Sequence, residues 1–396
     1  MTSDLVYLDH QATTPCDPRV LAAMLPWFTD SFANPHSVEH EMGRAAAAAV
    51  EHARAEVAAL IRAEPREIVF TSGATEANNL AIKGAARHAL AYGDPARRRI
   101  ITTAAEHDCV LEATRSLAAE GFDPIILPVG PDGLLNPDHL REALATPTLL
   151  VSVMSVNNET GVIEAIPTLA ALARAAGALF HTDAAQAAGR IPLDVAPIDL
   201  LSLSGHKLYG PKGIGALYVR HRPRTRLAPL FSGGGQERGL RAGTLPTPLI
   251  IGLGVACALA AAEMATDTAR IAALRDQLLA ELRAGIPGLR VNGSLTHRIA
   301  GNLNLTFPAA SAADLMAALP WLCVSTGSAC SSATLAPSHV LRAMGLPDVQ
   351  AARSLRLGLG RTTSQAEITR VAAALIQTHA TLAGARAPSG GAACPR

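Results

Sequence analysis

An α/β fold built on a mostly parallel sheet is what this sequence predicts, and three observations predict it. Apolar runs of strand length alternate with helix-length patterns through the first two-thirds of the 396 residues. The runs are near-continuously apolar, as strands covered on both faces must be. The residues best suited to chemistry stand at the ends of those runs, where open α/β sheets present their ligand sites.

Taken in order, Ile68-Val69-Phe70 leads through Thr71-Ser72-Gly73 into a helix over 75–90. Arg99-Ile100-Ile101-Thr102-Thr103 leads to a helix over 108–119, and Leu149-Leu150-Val151-Ser152-Val153-Met154 to one over 167–176. Ala178-Leu179-Phe180-His181-Thr182-Asp183, Leu200-Leu201-Ser202-Leu203 and Gly215-Ala216-Leu217-Tyr218-Val219-Arg220 complete the strand series. After Ser232-Gly233-Gly234-Gly235 a long helix spans 249–283. The strand Asn302-Leu303-Asn304-Leu305-Thr306-Phe307, a helix over 314–319 and a last helix over 365–382 follow. The expected division is a large domain over 1–259, a small α+β domain over 260–384 and a disordered tail over 385–396. The first fifteen or so residues are expected to pack with the small domain.

Composition excludes several classes. Net charge is +1, with 49% hydrophobic and 17% charged residues, so nothing draws the chain to nucleic acid or an anionic membrane. Cys16, Cys109, Cys257, Cys323, Cys330 and Cys394 show no C-x-x-C or Cys/His ligand spacing, so neither a disulfide framework nor a metal site is expected. The start of the chain lacks a signal-peptide pattern, and no apolar stretch reads as a membrane span. A cytoplasmic, soluble protein is expected.

Arginine dominates the 34 basic residues, and the lysines are Lys83, Lys207 and Lys212. A solubilising charge works with either residue, whereas an arginine cannot act as an amine nucleophile. Lys83, inside a helix, reads as a solvated charge. Lys212, in Tyr209-Gly210-Pro211-Lys212-Gly213, suits either an anion or a plain turn. Lys207 follows Ser204-Gly205-His206 at the exit of a buried strand, which makes it the candidate for imine chemistry.

Pyridoxal 5'-phosphate requires such a lysine, a carboxylate for the pyridine nitrogen, donors for the phosphate and a group to stack on the ring. Asp183 ends a strand and suits the nitrogen, and Gln186 stands three residues on, within reach of the phenolic oxygen. Gly73-Ala74-Thr75, at a strand-to-helix junction, offers N–H groups and a hydroxyl to the phosphate, with Ser204 and His206 as further donors. His107, in Ala105-Glu106-His107-Asp108, follows another strand and suits stacking.

The chain resembles the cysteine desulfurases of the NifS/IscS type, group I, in the class V aminotransferase family of fold type I enzymes. The motifs that carry the resemblance are Tyr7-Leu8-Asp9-His10-Gln11-Ala12-Thr13-Thr14-Pro15, Phe70-Thr71-Ser72-Gly73-Ala74-Thr75-Glu76, Val156-Asn157-Asn158-Glu159-Thr160-Gly161, Ser204-Gly205-His206-Lys207, Arg238-Gly239-Leu240-Arg241-Ala242-Gly243-Thr244 and Ser325-Thr326-Gly327-Ser328-Ala329-Cys330-Ser331-Ser332. The resemblance implies a seven-stranded, mostly parallel sheet and a homodimer. It implies that Lys207, Cys330 and His107 are catalytic, and that Ala74, Thr75, Asn158, Asp183, Gln186, Ser204, His206 and Lys207 hold the cofactor. Thr244 would serve the phosphate of the partner subunit, and Arg356 with Asn34 would grip the substrate carboxylate. The activity implied is conversion of L-cysteine to L-alanine, with sulfur passing to Cys330 and then to an acceptor or iron–sulfur scaffold protein.

Cys330, among Gly, Ser and Ala, has the setting of an exposed nucleophile, whereas Cys323 between Leu322 and Val324 reads as buried. Two departures from the IscS pattern stand out: His10-Gln11 replaces the usual Tyr-Ser, and a short Ala/Gly/Pro stretch with Cys394 ends the chain. A selenocysteine lyase or a small-amino-acid transaminase shares Lys207 and Asp183, and Cys330 separates a transaminase from the desulfurase. A non-catalytic interaction protein on the same fold would need none of these residues.

Overall fold

The computed structural model describes residues 4–327 and 337–386. Its strands are β1 Val6–Tyr7, β2 Ile68–Thr71, β3 Arg99–Thr103, β4 Asp123–Leu127, β5 Thr148–Ser152, β6 Leu179–Asp183, β7 Leu200–Ser204, β8 Gly215–Val219, β9 Arg290–Val291, β10 Asn302–Thr306, β11 Leu322–Cys323 and β12 Ser354–Gly358. Seven of them form one sheet in the order β2-β8-β7-β6-β5-β3-β4. β8 runs antiparallel to both its neighbours, and the other pairings are parallel. The link from Ser204 to Gly215 is too short for a crossover helix, so β8 must return against β7. β4 is absent from the expected strands: Pro124 and a half-exposed burial pattern disguise it, and both are tolerated at a sheet edge.

The principal helices are α1 Glu41–Leu60, α2 Ala74–Tyr92, α3 Asp108–Ser116, α4 Ile166–Ala175, α5 Thr247–Gly285 and α6 Gln365–Arg386. α3 ends before residue 119 because the chain tightens into a 3-10 turn, Leu117–Glu120, closed by Gly121 at φ 83°. Phe70, Ile101, Val151, Phe180 and Leu201 from successive strands share one large core with Val50 and Val57 of α1. Each such side chain contributes about 1.5–3 kcal/mol by leaving water.

A second core gathers Leu303, Leu305, Leu355 and Leu357 from the antiparallel sheet β12-β10-β9, with Leu278 and Leu282 of α5 and Val371 of α6. Val6 and Leu8 belong to this core, and β1 pairs in parallel with β11. α5 serves both: Ile250, Leu253 and Cys257 enter the first core, Leu274, Leu278 and Leu282 the second. Residues 259 and 260 thus lie inside one unbroken helix. Against the expectation from sequence, α5 is long and apolar enough to cross a membrane, with 44% of its most apolar window buried inside the fold.

Candidate active site

A cavity of about 440 Å³ opens at the carboxyl ends of β6 and β7, and Lys207, Asp183, His107 and Thr75 all line it. Lys207 closes a 3-10 turn, Gly205–Lys207, directly after β7. Gly205 is required there, because a Cβ would stand 2.9 Å from the Pro211 carbonyl oxygen. Burial, with Arg190 and Arg356 adding to it, holds the Lys207 amine below the ordinary lysine range, while Asp183 opposes the shift.

Asp183 ends β6 with a donor on each oxygen. The Ala185 N–H donates to Oδ1 at 2.8 Å, and the Asn78 amide of α2 donates to Oδ2 at 2.7 Å. Ser72, Gly73, Ala74 and Thr75 form the wall at the start of α2, where Gly73 is the N-cap and no side chain caps the helix. The first-turn N–H groups therefore face the cavity as anion donors. Ser204 and His206 stand beside them. The His206 ring pairs through Nδ1 with Thr13 Oγ1 at 3.1 Å, and burial followed by nearby Lys207 lowers its pKa to about 4. Lys212, ambiguous in sequence, lines the same cavity, and Lys83 lies within α2 away from it.

The opposite wall carries Arg356 and Asn158. Arg356 is 1% exposed, and its Nη2 donates to Asp9 Oδ1 at 2.6 Å while its Nη1 donates to the Asn158 carbonyl at 2.9 Å. Its Nε and the Asn158 Oδ1 are buried without a partner among the described residues. A guanidinium so fixed, with donor capacity left over, suits a planar carboxylate.

Three expected site residues are not brought to this cavity within the chain. The Gln186 amide donates to the Gln11 carbonyl at 2.8 Å, and its Oε1 accepts from Arg190 at 2.5 Å, so it is turned away from the space a ring would fill. Asn34 is engaged locally, its Oδ1 accepting from the His36 N–H at 2.9 Å. Thr244 is exposed. The segment leading to it is anchored by Glu237, 5% exposed, which binds Arg54 through both oxygens and the Phe70 N–H at 2.7 Å. Cys330 and Cys394 lie outside the described residues. Cys323 is partly buried rather than fully so; Cys257 is the buried thiol.

Sequence reasoning left out Asp9, Asn78, Cys109 and Arg190. Asn78 offered a signal, being an amide on the Ala/Leu face of an amphipathic helix, where an unpaired polar group would be costly.

The Aminotransferase class-V family matches residues 6–371. The chain belongs to it, in the NifS/IscS branch. "Cysteine desulfurase IscS" of Rickettsia akari (strain Hartford) is 52% identical over 365 residues, covering 92% of this chain and 88% of the relative. A solved NifS-like protein superposes with a TM-score of 0.88 at 32% identity, covering 96% of this chain and all of the other. SspA in complex with cysteine superposes with a TM-score of 0.78 at 39% identity, covering 90% of this chain and 99% of that one. The fold is that of the fold type I enzymes, and the family depends on pyridoxal phosphate.

The cavity fits that group on its own evidence. Uncapped N–H groups at α2 suit a dianionic phosphate, a carboxylate fixed by one donor on each oxygen with acceptor capacity left over suits a pyridinium, and an amine of lowered pKa stands on the same wall. When bound, pyridoxal phosphate supplies an aldehyde for an amine and a ring that withdraws electrons from the bound substrate.

Proposed function

We infer that the protein is a cysteine desulfurase, taking sulfur from L-cysteine and leaving L-alanine. The observation that carries the reading is one cavity with the cofactor set, Lys207 and Asp183, on one wall and a carboxylate-binding guanidinium, Arg356, on the other. The overall exchange breaks the substrate C–S bond and forms an S–S bond at Cys330. The substrate carbon keeps the C–S electron pair and takes a proton, the transferred sulfur is oxidised as that carbon is reduced, and Cys330 ends as a persulfide, so atoms and electrons balance without an outside oxidant.

Each residue then has a task. Lys207 would hold the cofactor through its amine, and its Nζ moves a proton to and from the substrate; its lowered pKa leaves the amine more often neutral. Asp183 pairs with the ring nitrogen, held in place by Asn78 and the Ala185 N–H. The N–H groups around Ala74 and Thr75, with Ser204 and His206, hold the phosphate. Arg356 orients the substrate carboxylate, Asn158 stands beside it to hold the cofactor, and Asp9 keeps the guanidinium in place. Cys330 is the sulfur acceptor. In the homodimer, Thr244 is free to serve the partner subunit's phosphate, and Gln186 and Asn34 reach their expected roles only if their side chains turn. The sulfur goes on, in this reading, to an acceptor protein for iron–sulfur cluster assembly in the cytoplasm.

Alanine and sulfide release from L-cysteine, with and without a reductant, tests the reading. Stoichiometric alanine, with sulfide freed by the reductant, is expected. Amino-group transfer to a keto acid without alanine formation from cysteine would replace the desulfurase with a transaminase.

A further inference from the structure

Resting on that reading, the surroundings of His107 define its chemical state. His107 is the N-cap of α3, and its Nδ1 accepts the Cys109 N–H at 3.2 Å. A backbone N–H can only donate, so Nδ1 presents its lone pair and the ring proton sits on Nε2. The Cys109 Sγ lies 3.1 Å from the same Nδ1. That sulfur accepts from the Asn78 amide at 3.2 Å and from the Thr75 side chain, which leaves its S–H to point at His107. Burial pushes the Cys109 thiol up to about 12, so it keeps the proton it donates.

The other groups facing the ring are Lys207, Asp183, Asp108 and His339. Burial and the Lys207 charge lower the His107 pKa, while Asp183 and Asp108 pull it back. The positive end of the α3 dipole also disfavours an imidazolium at this place. A neutral histidine at a helix N-terminus is known elsewhere to act as an electrophile rather than an acid.

We propose that Cys109 is a positioning residue: with its N–H and its thiol it locks His107 as the neutral Nε2–H tautomer. His107 then meets substrate and cofactor as a hydrogen-bond donor and a flat apolar face, and not as an imidazolium. Protonating Nδ1 would break the helix cap and turn two donors against a third.

Nitrogen NMR of full-length protein labelled at histidine tests this, with and without bound cofactor, the His107 signals identified by their loss in His107→Gln. The neutral Nε2–H pattern is expected through the neutral pH range in both forms. Cys109→Ala is expected to raise the proton affinity of His107 about fivefold, the scale of one lost hydrogen bond, and Cys109→Ser to restore it through its hydroxyl. An Nδ1–H signal, an imidazolium at neutral pH, or a Cys109→Ala protein titrating like wild type would overturn the proposal. Turnover of L-cysteine is scored separately: the tautomer without turnover refutes the desulfurase and leaves this assignment standing, and turnover with the wrong tautomer does the reverse.

Discussion

The two walls of the cavity are built differently. The wall carrying Lys207, Asp183 and Thr75 comes from neighbouring strands of a single sheet and from α2, whose Leu80 and Ile82 pack on that sheet with Val69 and Leu200. The wall carrying Arg356 is assembled across distance. β12 belongs to the second core, Asp9 to the amino-terminal strand region, and Asn158 to the loop after β5. The first wall is rigid by construction, and the second holds its geometry only while two cores keep their relative position. Chemistry that tolerates no error sits on the first; recognition of a substrate that must enter and leave sits on the second.

If that division is right, changes on the first wall remove turnover and changes on the second weaken substrate binding. Lys207→Arg keeps the charge but loses the amine nucleophile, so kcat should fall by at least about a thousandfold, with loss of covalently held cofactor in the absorption spectrum. Residual turnover near wild type would contradict the assignment. Cys330→Ala should stop persulfide formation while L-cysteine still perturbs the spectrum of the bound cofactor. Mass spectrometry of wild type should place the added sulfur on the Cys330 peptide, and sulfur on Cys323 or Cys394 would redirect the mechanism.

Arg356→Lys should raise KM for L-cysteine about 10- to 100-fold with a smaller change in kcat, as expected for a charged hydrogen-bond pair. Asp9→Asn should move KM the same way by less, because it leaves the guanidinium in place with a weaker anchor. A kcat effect larger than the KM effect in either variant would dissolve the distinction between the walls.

The smallest effect concerns stability. Burial lowers His181, behind Asp183 on β6, to about 4 from 6.5. Below about 6.5 the unfolded chain takes up a proton that the folded chain refuses until about 4, so this residue makes stability fall as pH drops through that window. Glu164, raised by burial to about 7 from 4.5, works in the opposite direction over much of the same range. His181→Gln, which keeps polar contacts available to Ser152 and Ser202, should therefore flatten the acid side of the melting-temperature profile by a few degrees. An unchanged acid slope would show that His181 does not resist protonation.

Strand-end residues were legible in the sequence because their placement follows from local pattern. Lys207, Asp183, Thr75 and His107 each terminate or follow an apolar run, and a buried sheet can present them at one edge only. Asp9, Asn78, Cys109 and Arg190 were not legible as site residues. Asp9 meets Arg356 across 347 positions, and Asn78 meets Asp183 across 105, a pairing no local window contains. β4 escaped for a different reason, since an edge strand needs neither continuous apolarity nor freedom from proline. Gln186 was read as a partner for the ring's phenolic oxygen, whereas its partners in the structure, Gln11 and Arg190, come from contacts that spacing does not encode.

The 39 residues of α5 make a rod of about 58 Å, rooted in one core and ending in the other. Such a rod is a lever. A bend of about 5° near its middle moves its far end by a few ångströms, comparable to the length of a hydrogen bond. Curvature in such a helix would change the gap between the Arg356 wall and the Lys207 wall from a point far from either. Substitutions in the middle of that rod can alter affinity for substrate without touching a single residue that lines the cavity.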